Sequence, residues 1–189
     1  MEELIKTLIN ESRELHDHII DIIPQIARAA EMMVNCIVGC DKIMFAGNGG
    51  SAADAQHLAA ELVNRFRRER MPLAGLALST DSSIITAIGN DYSFEQIFSK
   101  QVAALGKKGD VLVGISTSGD SSNIIRAIIT AREMGILTIG LTGNQGRIKD
   151  LVDCGIAVPS RNTPRIQEAH ILIGHILCEL LEDAACTSV

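Results

Sequence analysis

Apolar residues recur at helical spacing through residues 2–23, at Leu4, Ile5, Leu8, Ile9, Leu15, Ile19 and Ile20. This pattern predicts an amphipathic helix. Pro24 breaks or kinks it, because proline lacks an N–H and its ring collides with the preceding turn. A second helical stretch follows to about Cys40. The period then changes, and five short runs are apolar nearly throughout: Lys42–Ala46, Leu73–Leu78, Val111–Ile115, Leu137–Leu141 and Gly155–Val158. Strands without polar alternation suit a parallel sheet buried on both faces. Helical segments separate most of them, at about 51–66, 82–104 (in two pieces), 121–134 and 145–152, with a last helix from about 164 to 184. Thr163 as cap and Pro164 at the first position mark the start of that last helix. Strands alternating with helices predict right-handed crossovers and a doubly wound α/β fold with a mainly parallel five-stranded sheet.

A chain of 189 residues is enough for one domain and its core. The expected division is a helical arm over 1–40 and an α/β core over 41–189. The arm carries more apolar residues than one stripe uses, with Ile19, Ile20, Ile22 and Ile23 nearly in succession. The surplus is expected to lie against another subunit; the alternative is a helix wrapped over its own core.

Composition narrows the function. Hydrophobic residues are 47% and aromatics 3%, with no Trp, so the core is expected to be Ile, Leu, Val, Ala and Met. A net charge of −6 argues against nucleic acid, whose phosphates need a surplus of Lys and Arg. The one basic run, Arg65, Arg67, Arg68 and Arg70, is read as a solvated helix end. Five cysteines form no Cys-x-x-Cys pair; Cys36 and Cys40, four apart, suit buried thiols, and a reducing cytoplasm is expected. The first residues lack the apolar stretch of a signal peptide. No run of about 18 apolar residues offers a membrane span.

Two loops carry unusual chemistry. Gly47-Asn48-Gly49-Gly50-Ser51 lies between the first strand and a helix, and its glycines allow a tight turn and a close ligand. Ser51 with Asp54 is read as a capping box. The loop also fits a loose G-x-G-x-x-A, but the acidic ribose partner of a dinucleotide site is missing about 20 residues on; the next strand region ends only at Asp81. Ser116-Thr117-Ser118-Gly119-Asp120-Ser121-Ser122 puts five hydroxyls between a strand and a helix. Free N–H groups at a helix start suit a phosphate; an ordinary Ser/Thr turn with one N-cap is the plainer alternative. His57 and Glu61, at i and i+4, share a helix face and suit a metal, an acid and base, or a simple hydrogen bond. In the last helix His170 and His175 are five apart, so only one is expected to face a site. His16 and His18 are expected at solvent or a subunit contact.

The ordered set GNGGSAADAQHLAAEL at 47–62, IGND at 88–91, GISTSG at 114–119 and RIQEAHILIGHILCE at 165–179 resembles the SIS (sugar isomerase) family, and within it the members that act on seven-carbon sugar phosphates. That resemblance implies that Asn48, Gly49 and Gly50 line the sugar site, and that Asn90 and Asp91 contact substrate hydroxyls. It implies that Ser116, Thr117, Ser118 and Ser121 hold the phosphate. By the same resemblance His57, Glu61, Gln167 and His175 surround one zinc ion per subunit. Glu61 and His175 would then act as base and acid, with Glu61 and Gln167 also touching substrate. Pro164 stands where some members have an acidic residue, and no role is carried to it. The implied activity interconverts sedoheptulose 7-phosphate and a manno-heptose 7-phosphate for bacterial surface polysaccharide such as lipopolysaccharide, in a tetramer with sites at subunit interfaces. Two other readings stand beside it. Some SIS proteins are non-catalytic adaptors, one of which binds the replication initiator; Glu61 and His175 argue for the enzyme. An NAD-dependent oxidoreductase leaves the serine loop unexplained.

Overall fold

The computed structural model describes residues 1–187. The arm is α1 (Glu2–His18), a 3-10 turn (Ile19–Ile22) and α2 (Ile23–Val38), with Pro24 in the first turn of α2. There proline costs no hydrogen bond, since the first helical N–H groups have no intrahelical acceptor. The chain leaves α2 at Gly39, and Cys40 turns outward in the left-handed region with φ 58°. Cys40 is therefore exposed, against the expectation of a buried thiol, whereas Cys36 is buried and donates to the Lys42 carbonyl.

Five parallel strands follow: β1 (Ile43–Gly47), β2 (Gly75–Ala77), β3 (Val111–Ser116), β4 (Leu137–Gly143) and β5 (Cys154–Val158). Their order is β2-β1-β3-β4-β5. Between them lie α3 (Gly50–Val63), α4 (Ser82–Asp91), α5 (Ser99–Leu105), α6 (Ser122–Glu133) and α7 (Ile148–Leu151), and α8 (Thr163–Thr187) closes the described chain. Side-chain alternation sorts the core into two layers. Ile43, Phe45, Val113, Ile115 and Leu141 face α2, α3 and α8, while Met44, Ala46 and Leu112 face α5 and α6. Both layers are mostly aliphatic, with Phe45 and Phe98 the buried aromatic rings. A methyl at Gly114 would meet the Ile124 side chain at 2.8 Å, so the glycine lets α6 close on β3.

This order reverses direction between β1 and β3. Ligands of open parallel sheets bind at the carboxyl ends of such neighbouring strands. The glycine loop leaves β1 there and the serine loop leaves β3.

Candidate active site

The chain turns from β1 into α3 through Gly49, whose φ of 55° occupies the N-cap position. No side chain caps α3, and Ser51 is buried inside its first turn. The expected Ser51–Asp54 capping box is therefore absent, because the N-cap is Gly49, two residues before the Ser51 that box requires. Asp54 instead accepts a hydrogen bond from Gln167 Nε2 of α8 at 3.3 Å. Burial raises the Asp54 pKa, and the bond from Gln167 only partly offsets this. A side chain at Gly50 would collide with the Gln167 amide, so the glycine makes room for α8 at the mouth of the loop.

The second loop turns through Gly119 (φ 66°). Ser116 Oγ lies 2.8 Å from Ser121 Oγ and 3.2 Å from Ser118 Oγ. Ser121 holds the N-cap position of α6 but makes no capping bond with its side chain. Of the plainer reading, a Ser/Thr turn with one N-cap, the turn is present, since Asp120 N donates to Ser118 Oγ at 3.3 Å, but the side-chain cap is not. Three hydroxyls converge beside a helix start with no side-chain cap, and such a start attracts an anion. Asn48 and Asn123 bridge the two loops with reciprocal amide bonds of 2.9 and 2.8 Å. Asn123 is buried and was not among the residues expected at the site.

Further along, α3 and α8 bring a second set together. His57 Nε2 and His175 Nε2 are 2.8 Å apart, with ring centroids at 5.1 Å in an edge-on arrangement. Glu61 Oε1 lies 3.5 Å from His57 Nε2. His175 thus faces α3. His170, by contrast, is fully buried, and its ring nitrogens make no well-formed hydrogen bond among the described residues; burial pushes its pKa down to about 4, partly offset by the Thr142 backbone. Gln167 and His175 are eight residues apart, about 12 Å along a helix, and each meets a different turn of α3. Asn90 and Asp91 end α4, exposed, with Asn90 Nδ2 donating to Asp91 Oδ1 at 2.9 Å. Among the described residues no hydrogen bond joins them to either loop. Asp81 caps α4 by accepting from Ile84 N at 2.9 Å. In the arm, His18 is exposed beside Asp21, while His16 is half-buried with its Nε2 unpaired.

Among the described residues no group of three or more His, Cys, Asp or Glu is arranged to hold a metal ion. The donor types nevertheless fit zinc: two imidazole nitrogens converge with a carboxylate beside them, while the Gln167 amide meets Asp54, one turn earlier on α3.

The SIS domain family matches residues 9–143. The chain belongs to this family. It is 50% identical to the phosphoheptose isomerase of Rhodospirillum rubrum, over 99% of this chain and 100% of that one. Identity to the phosphoheptose isomerase of Geotalea daltonii is 52%, over 96% of each. Among solved structures, the phosphoheptose isomerase of Neisseria gonorrhoeae superposes with a TM-score of 0.91 at 45% identity, covering 96% of this chain and 98% of that one. Family membership and the parallel sheet agree with the fold expected from the sequence.

Proposed function

We propose that this chain interconverts sedoheptulose 7-phosphate and D-glycero-D-manno-heptose 7-phosphate through an enediol(ate). The observation that carries the reading is the approach of His175 to His57 one turn from Glu61. It gives the chain an acid and a base that a passive sugar-phosphate adaptor does not need. The relatives matched over nearly the whole chain are phosphoheptose isomerases, and no observation favours the adaptor or an oxidoreductase.

Ser116, Thr117, Ser118 and Ser121 with the start of α6 hold the phosphate, and the Asn48–Gly50 loop faces the sugar. The Glu61 carboxylate takes a proton from carbon 1, next to the ketone, while the oxygen on carbon 2 is protonated with His175 as the acid. Return of a proton to carbon 2 and loss of one from the oxygen on carbon 1 gives the aldehyde. General acid–base catalysis of this kind contributes about 10²–10⁴-fold. His57, Glu61, Gln167 and His175 would hold zinc, which when bound steadies negative charge on oxygen. Asn90 and Asp91 would reach substrate from a neighbouring copy, since they sit beside exposed Tyr92 and Phe94. The protein would act as a cytoplasmic homotetramer supplying heptose for lipopolysaccharide or another surface glycan.

Glu61→Gln keeps the shape and removes the basic oxygen. Turnover should fall by about 10²–10⁴-fold, while the sugar phosphate still binds in calorimetry. Full turnover in that variant removes Glu61 from the mechanism.

A further inference from the structure

The basic run expected to be a solvated helix end is instead an irregular segment tied to α8. Glu182 is buried, and its carboxylate accepts from the backbone N–H groups of Phe66, Arg67 and Arg68 at 2.9, 2.8 and 2.9 Å. Arg70, whose side chain is also buried, stands 3.5 Å from the same carboxylate and donates to the Glu61 and Leu62 carbonyls at 2.8 Å each. Those carbonyls end α3, the helix that carries His57 and Glu61. Burial opposes the charge on Glu182, but the three backbone donors and Arg70 outweigh it and hold its pKa below the usual carboxylate range. Arg67 and Arg68 add exposed ion pairs to Glu179 and Asp183, each at 2.7 Å.

The segment delivers one side chain to the candidate site. The Phe66 ring lies 5.4 Å from the His175 ring, centroid to centroid, tilted by 34°. His57 meets the same imidazole edge-on. Glu182 stands seven residues beyond His175, two turns along α8 and on the same side. One helix therefore carries both the imidazole and the anchor of the segment that packs against it.

We infer that Phe66 and Glu182 are positioning residues for His175: the Glu182 carboxylate fixes the 65–70 segment, and the Phe66 ring holds the imidazole in register with His57 and Glu61. This rests on the isomerase reading of the site. Neither residue touches the phosphate loop, so their loss acts on the proton transfers and spares substrate binding. Phe66→Leu keeps apolar bulk without the flat ring. Glu182→Gln keeps volume but turns one acceptor oxygen into an N–H₂ facing N–H donors.

The test is kcat and KM for sedoheptulose 7-phosphate in wild type, Glu182→Gln, Phe66→Leu, Phe66→Tyr and Asp183→Asn. Misplacing a reacting group by about 1 Å can cost about a hundredfold. Glu182→Gln and Phe66→Leu should therefore lose roughly ten- to a hundredfold in kcat with KM near wild type. Phe66→Tyr, which restores the ring, should recover most of kcat, and Asp183→Asn should retain it. If Glu182→Gln does not fold, Phe66→Leu and its tyrosine rescue decide the matter. Wild-type kcat in Phe66→Leu, a loss confined to KM, or an equal loss in Asp183→Asn would overturn the inference and leave the isomerase reading standing. An inactive wild type would overturn both.

Discussion

Asn48 and Asn123 exchange two hydrogen bonds because each carboxamide offers a donor edge and an acceptor edge. Aspartate at position 123 still accepts from Asn48 but sets a second oxygen against the Asn48 carbonyl, in a buried place. An unsatisfied buried polar group costs about 1–3 kcal/mol. Asn123→Asp should raise KM for the sugar phosphate by loosening the two loops from each other; an unchanged KM would show that the pair does not shape the cleft. Sequence spacing reveals His57 and Glu61 because residues four apart on a helix share a face. It does not reveal Asn123, Glu182 or the Asp54–Gln167 pair. Their partners are 75, 114–116 and 113 residues away, and only the packing of α3, α6 and α8 brings them together.

At the scale of elements, the change from a helical to an apolar-run pattern marks all five strands, most clearly β1, β3 and β4, which are buried nearly throughout and leave few polar positions to break the run. The β2 strand is shorter than its apolar run, Gly75–Ala77 within Leu73–Leu78, and lies at the edge of the sheet beside β1. The serine loop could not be told from an ordinary cap by spacing alone; in the structure the Ser121 side chain makes no capping bond. Thr117→Ala and Ser121→Ala should each weaken phosphate binding by about 1.5–3 kcal/mol, as for a lost hydrogen bond to a charged group. Because the Ser121 hydroxyl does not cap α6, Ser121→Ala should leave the melting temperature near wild type. A loss of about 1 kcal/mol of stability, the usual cost of a missing cap, with unchanged phosphate affinity would contradict this account.

For the whole molecule, the arm divides its apolar residues between the core and an uncovered face. Leu15, Ile19 and Ile26 are buried against the core, while Leu4, Ile5, Leu8, Ile9, Ile20 and Ile23 remain exposed. An open apolar face of this kind is what burial against a neighbouring copy would cover. Sedimentation at micromolar concentration should therefore show no main species at the 20.3 kDa of one chain; an active monomer would contradict both the proposed covering of the arm by a second copy and the proposed completion of the site by Asn90 and Asp91 of a neighbour. No helix among the described residues is long and apolar enough to cross a membrane. Catalysis itself is tested most directly by incubating the purified protein with sedoheptulose 7-phosphate in deuterated water and following the sugar by NMR. The account predicts conversion to the manno-heptose 7-phosphate with solvent deuterium on carbon 2, the carbon that regains its proton from the enediol. A sugar that binds and remains unconverted would contradict it.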